Sequence, residues 1–178
     1  MIRPARFDDA PAIAAIYLPF VAETPISFET EAPGPEQIAE RMRSGSGRYP
    51  WLVAEDDGGK VVGYAYASRF RERAAYRFAV ETTVYVAPDV QRQGIGRKLY
   101  DALFEILSGQ GFTQAIAGIT LPNAPSVALH EAVGFEPAGV YRTVGYKLGG
   151  WHSVGIWQRA LASSSERPEE PRSIQPLS

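Results

Sequence analysis

Apolar residues recur at two different spacings along this chain, and the places where the spacing changes divide it into elements. Ile2 to Arg6 reads as a short strand. Ile13, Ile16, Tyr17 and Phe20 then fall three and four apart, the stripe of a helix that Asp8 or Asp9 can cap. Pro11 suits its first turn and Pro19 is expected to kink or end it, because proline lacks the N–H a helix interior requires. Glu36 to Ser44 predicts a second, short and polar helix. From Trp51 the period becomes two: Trp51 to Glu55 and Lys60 to Phe70 predict strands joined through Asp56-Asp57-Gly58-Gly59, a strong hairpin signal.

Phe78 to Val86 is the next strand, with Glu81, Thr83 and Tyr85 on one face and Val80, Thr82, Val84 and Val86 on the other. Ile95 to Gln110 returns to helical spacing through Leu99, Ala102, Leu103, Ile106 and Leu107, and glycines at 109 and 111 end it. Gln114 to Leu121 is mostly apolar, as a central strand should be. Asn123 caps a helix reaching Val133, on which Asn123, Ser126 and His130 share one face and Ala128, Leu129 and Ala132 the opposite one. Strands at Pro137 to Thr143 and Val154 to Arg159 follow, joined by a loop from Gly145 to His152. More strands than a strictly alternating chain would have, interleaved with helices, predicts an α/β (α+β) domain, a mixed sheet of six to seven strands with helices on both faces. Residues 1–161 form that domain; residues 162–178, rich in Ser, Pro and Glu, are expected to be a disordered tail.

Composition narrows the chemistry. With 178 residues, 45% of them hydrophobic, one core is well supplied. A net charge of −2 gives no general attraction to nucleic acid or to an anionic membrane, so the expected ligand is small and any basic site local. The lack of a long apolar run or charged-then-apolar leader predicts a soluble cytoplasmic protein. No cysteine means no thiol ligand or cysteinyl intermediate, and with two histidines, His130 and His152, no metal is expected.

One stretch carries a specific signal. Gln91-Arg92-Gln93-Gly94-Ile95-Gly96 lies where a strand hands over to a helix, so unpaired N–H groups converge there, next to Arg92, Arg97 and Lys98. A phosphate or pyrophosphate is the natural guest. A P-loop would need Gly-Lys-Ser/Thr, and a dinucleotide loop a small residue where Leu99 stands. The segment instead resembles the Gln/Arg-x-x-Gly-x-Gly/Ala pyrophosphate loop of the GNAT superfamily of N-acetyltransferases.

Longer stretches resemble one branch, the phosphinothricin and methionine sulfoximine N-acetyltransferases: Glu81-Thr82-Thr83-Val84-Tyr85-Val86, Leu121-Pro122-Asn123-Ala124-Pro125-Ser126-Val127, Leu129-His130-Glu131-Ala132-Val133-Gly134-Phe135 and Gly145-Tyr146-Lys147-Leu148-Gly149-Gly150-Trp151-His152. The resemblance implies acetyl-CoA as co-substrate and a homodimer. It implies that Val84, Tyr85 and Val86 meet the acetyl and pantetheine end, that Arg92, Gln93, Gly94, Ile95, Gly96 and Arg97 hold the pyrophosphate, and that Asn123, with Ser126 on its face, meets the pantetheine arm. Histidine at position 130, where much of the superfamily has tyrosine, points into this branch.

Acetyl transfer to an amine needs a base, a donor for the thioester oxygen and a proton for the thiolate. Glu81 is the candidate base: an α-amine of pKa about 8 costs only about 1.4 kcal/mol to deprotonate at pH 7, against roughly 4.6 for a lysine side chain. A backbone N–H between Val84 and Val86 can serve the oxygen if the strand is splayed. His130 is the candidate acid, with a hydrogen-bonded structural histidine as the alternative. Phe28, Thr83, Arg71, Arg73 and Lys147 are candidate acceptor contacts, the arginines to grip a carboxylate and Lys147 a second anionic group. The expected function is acetylation of the amino group of a small amino-acid-like acceptor by direct transfer in a ternary complex; a protein lysine or N-terminal acetyltransferase and a non-catalytic acyl-CoA sensor remain as alternatives.

Overall fold

The computed structural model describes residues 1–163 and 168–178. Seven strands form a single sheet in the order β1-β2-β3-β4-β5-β7-β6. They are β1 (Ile2–Pro4), β2 (Trp51–Glu55), β3 (Val61–Arg69), β4 (Ala79–Val86), β5 (Gln114–Leu121), β6 (Glu136–Lys147) and β7 (Gly150–Ala160). All neighbours are antiparallel except β4 and β5. The helices are α1 (Ala10–Glu23), α2 (Pro35–Gly45), α3 (Ile95–Gln110) and α4 (Ala124–Ala132). The mixed sheet and the α/β class agree with the period-two and helical spacings.

Strand alternation builds a core on each face. Trp51, Val53, Tyr64 and Tyr85 pack with Ile13, Tyr17 and Phe20 of α1 and with Ile38 and Met42 of α2. Leu52, Ala54, Ala65, Ala67 and Val80, pointing the other way, pack with Leu99, Tyr100, Leu103, Phe104 and Leu107 of α3. Successive side chains of one strand thus serve opposite layers.

Several expectations are corrected. Helix α1 runs through Pro19 to Glu23. The N–H that proline lacks would have bonded the carbonyl of Ala15, an exposed residue, so the missing bond falls on the solvent side of the helix. Asp9 makes no side-chain cap for α1. Its carboxylate receives the Arg3 guanidinium at 2.7 and 2.8 Å, and Arg3 also binds Glu55. The loop expected between 145 and 152 is instead a tight turn inside a long β6–β7 hairpin, with Leu148 and Gly149 both at positive φ (51° and 76°) as a two-residue turn requires.

The C-terminal residues expected to be disordered lie along the body where they are described. The N–H of Arg172 donates to the Gln110 carbonyl (2.7 Å), that of Ile174 to the Gly47 carbonyl (2.9 Å), and that of Phe7 to the Ser178 carbonyl (2.9 Å). Leu177 packs on the α1–α2 core. The part of that expectation falling on residues 164–167 lies outside the described residues.

Candidate functional site

Among the described residues the only parallel pair, β4 with β5, opens after a short start. Residues Ala79, Val80 and Glu81 pair with Gln114, Ala115 and Ile116, and there the ladder stops although both strands continue. Glu81 stands at the fork. On the other side β4 stays paired with β3 as far as Val86, and the bond from the Ala87 N–H to the Val62 carbonyl (2.9 Å) fixes its phase. Antiparallel pairing alternates, so Glu81, Thr83 and Tyr85 exchange their backbone bonds with β3. The amides of Val84 and Val86 therefore face the gap left by β5, where the Val86 carbonyl receives the Gln91 side-chain amide at 3.3 Å. A free strand edge of this kind accepts an extended chain of amides, and the Val84 N–H is a donor aimed into the gap.

A cleft of about 550 Å³ occupies the fork. Of the candidate residues it brings together Glu81, Thr83, Val84 and Tyr85 from β4, Asn123, Ser126 and His130 from α4, and Phe28 from the loop after α1. Tyr17, Ser27, Glu29, Tyr100 and Thr120, which no motif marked, complete its polar lining. Arg71, Arg73, Lys147 and Val86 are not among the lining residues.

Glu81 is open to the cleft, and partial desolvation raises its pKa above the usual carboxylate value while the nearby Arg71 charge pulls it back. Arg71 itself lies over the Phe70 ring at 5.1 Å, outside the cleft wall. Glu29 is the second carboxylate, held low in pKa mainly by the Arg41 guanidinium, which grips both its oxygens at 2.7 and 2.8 Å. The Tyr17 hydroxyl donates to it at 2.9 Å. The Glu29 charge is balanced by Arg41, whereas Glu81 has no ion-pair partner among the described residues and no cation lines the cleft beside it, which favours an ammonium guest.

His130 is buried and its tautomer follows from its partners. A carbonyl only accepts, so Nδ1 carries the proton that goes to the Ser126 carbonyl at 2.7 Å; Nε2 then accepts from the Tyr100 hydroxyl at 2.9 Å. Burial lowers the histidine pKa and raises that of the tyrosine, so both stay neutral. Helix α4 aims this face at the cleft because Asn123 caps it, its Oδ1 accepting the Ser126 N–H at 3.3 Å.

Lys147 is spent elsewhere. Its ammonium is buried against the carbonyls of Val21 (2.6 Å) and Ser27 (2.7 Å), which corrects the expectation that it meets an anionic group of the acceptor.

The glycine loop sits beyond the open end of the fork. Gly94, at φ 76°, precedes α3, whose first bond runs from the Lys98 N–H to the Gly94 carbonyl at 3.1 Å. The N–H groups of Ile95, Gly96 and Arg97 thus have no partner within the helix, beside exposed Arg92, Gln93 and Arg97. Gly96 serves packing: a Cβ there would lie 3.0 Å from Leu129 Cδ2 of α4. These donors fit a pyrophosphate, and the free β4 edge between them and Glu81 fits a pantetheine arm. Among the described residues no cluster of His, Asp and Glu is arranged to hold a metal ion.

Residues 15–135 match the acetyltransferase (GNAT) family. The chain belongs to that family. It is 43% identical to a phosphinothricin N-acetyltransferase of Streptomyces viridochromogenes, over 99% of this chain and 93% of that one. It is 36% identical to an L-methionine sulfoximine/L-methionine sulfone acetyltransferase of Pseudomonas paraeruginosa, over 94% and 98%. Among solved structures, a phosphinothricin acetyltransferase of Sinorhizobium meliloti in complex with acetyl-CoA superposes with a TM-score of 0.91 at 38% identity, covering 97% of this chain and 94% of that one. This GNAT chain is thus an acetyl-CoA-dependent N-acetyltransferase.

Proposed function

We propose that this GNAT enzyme acetylates the α-amino group of a small amino-acid-like acceptor of the phosphinothricin or methionine sulfoximine/sulfone type. The observation that carries the reading is the position of Glu81 at the fork of β4 and β5, one residue pair from the free β4 edge. Relatives named for those acceptors, at 43% and 36% identity, support the substrate class.

Glu81 receives the proton of the acceptor ammonium, directly or through one water, and an α-amine needs no stronger base. The Val84 N–H donates to the thioester oxygen as it gains charge, and the donors of Ile95 to Arg97 anchor the pyrophosphate. Acetyl-CoA supplies the acyl group, transferred directly with no covalent enzyme intermediate. His130 and Tyr100 orient one another and shape the cleft floor; with both neutral and mutually bonded, water returns the proton to the thiolate. Arg71, whose charge reaches Glu81, grips the acceptor carboxylate from the rim, with Arg73 next to it.

The expected homodimer uses the outer strand β6, its turn and the start of β7, where Val140, Tyr141, Val144, Tyr146, Leu148 and Trp151 are all exposed. Sedimentation of the purified protein as a monomer at micromolar concentration would remove that part of the reading. No described helix is long and apolar enough to cross a membrane, and reliance on acetyl-CoA favours a cytoplasmic setting.

The test is initial-rate CoA release with free phosphinothricin, methionine sulfoximine and methionine sulfone set beside peptides bearing a free N-terminus or lysine. Saturable turnover of the free amino acids is expected. Turnover of peptides alone would make this a protein acetyltransferase, and CoA binding without turnover a sensor.

A further inference from the structure

The acceptor side of the cleft is closed by an irregular segment, residues 24–29, of which Ile26, Ser27, Phe28 and Glu29 line the cavity. It follows α1 but is held from the far half of the sheet. The Thr120 hydroxyl of β5 donates to the Ile26 carbonyl at 3.3 Å. The Lys147 ammonium, from the end of β6, joins the Ser27 carbonyl to that of Val21. Val21 lies in the last turn of α1, where carbonyls have no helical partner, so Lys147 is also a cation at the negative end of that helix. Two residues earlier, Gly145 leaves the space that the Phe28 ring fills; a Cβ there would overlap the ring.

The base and the free strand edge thus belong to β4, whereas the wall facing them is tied to α1 and α2 through Tyr17 and Arg41 and, across the fork, to β5 and β6 through Thr120 and Lys147. We propose that Lys147 and Gly145 are positioning residues that fasten the 24–29 wall across the fork and so set acceptor affinity without touching acceptor or acetyl-CoA. The proposal rests on the acetyl-transfer reading above. Lys147 acts by its two carbonyl bonds and Gly145 by its missing side chain, so the two are perturbed by unrelated chemistry yet lead to one consequence.

The experiment compares Lys147→Met, Lys147→Arg and Gly145→Ala with the unaltered enzyme. It measures KM for acceptor and for acetyl-CoA, and amide hydrogen exchange along the chain. Lys147→Met and Gly145→Ala should each raise acceptor KM by about tenfold, leave acetyl-CoA KM unchanged and speed exchange in residues 24–29 but not in α3. Lys147→Arg, which keeps charge and donors, should restore most of the affinity. Equal rises in both KM values, or an unchanged acceptor KM with slow exchange at 24–29, would overturn the proposal. Should Lys147→Met fail to fold, Gly145→Ala decides. If the unaltered enzyme acetylates no amino acid, the substrate reading falls, and hydrogen exchange alone still decides whether Lys147 fastens the wall.

Discussion

The Tyr100 hydroxyl and His130 Nε2 lie 2.9 Å apart at the floor of the cleft, and the partner on Nδ1 fixes the direction of the bond: tyrosine donates, histidine accepts. Neither group holds a readily released proton, since burial pushes the tyrosine pKa up and the histidine pKa down. His130→Phe is therefore expected to lower kcat by less than about tenfold, a smaller loss than at Glu81, because water can protonate a thiolate of pKa about 8.5. Steady-state kinetics of both variants at one pH check this. A larger loss at His130 would reverse the two roles.

The pyrophosphate loop gives the second prediction. Gly94 has open space around it but a positive φ, so Gly94→Val strains the loop that presents the N–H groups of α3. Calorimetry should find CoA binding weakened by about tenfold or more, with the circular dichroism spectrum unchanged. Gly96→Val is the less clean variant, as it also collides with Leu129. Unchanged affinity in Gly94→Val would put the pyrophosphate elsewhere.

Third, Arg71→Ala should raise KM for a free amino-acid acceptor by about ten- to a hundredfold, the worth of a charge-assisted pair, with little effect on the carboxamide of the same molecule. Arg73→Ala should cost less, because only Arg71 is felt by Glu81. Equal losses on acid and amide would mean that the arginines shape their loop and do not read the carboxylate.

Fourth, deleting residues 168–178 removes the three backbone bonds to Phe7, Gly47 and Gln110 and uncovers the surface beneath Leu177. The melting temperature should fall by about 5 °C or more while KM values hold. An unchanged melting temperature would mean that the tail contributes nothing.

The strands and helices were legible because their signals are local, whereas the parting of β4 from β5 joins residues more than thirty positions apart and was read only as a condition on the Val84 to Val86 strand. Gly94 before an apolar helical stripe, Asn123 before another, and an Asp-Gly turn between alternating runs each act within a few residues. What escaped depends on distant partners. Tyr100 reads as one more apolar position of α3, and only its contact with α4 gives its hydroxyl a task. Lys147, in a glycine-rich turn, looks like a ligand-seeking cation until α1 brings it two carbonyls. The tail lacks apolar residues enough to fold alone, yet backbone bonds to a finished body hold it. Leu148 at positive φ concealed the tight turn, since an apolar residue gives no sign of that conformation.

The central claim is that Glu81, at the fork, is the base for a neutral-amine attack. Its pKa is raised by partial desolvation, so kcat/KM of the unaltered enzyme should fall as pH drops and the base becomes protonated, at a higher pH than for a freely solvated carboxylate. The most direct measurement is the pH profile of kcat/KM for Glu81→Gln against the unaltered enzyme with methionine sulfone, alongside acetyl-CoA affinity. The account predicts equal affinity, a deficit of about a hundredfold at pH 7, and a deficit that shrinks above the amine pKa of about 8 as the acceptor arrives already neutral. A constant deficit across the range, or a parallel loss of acetyl-CoA binding, would contradict it.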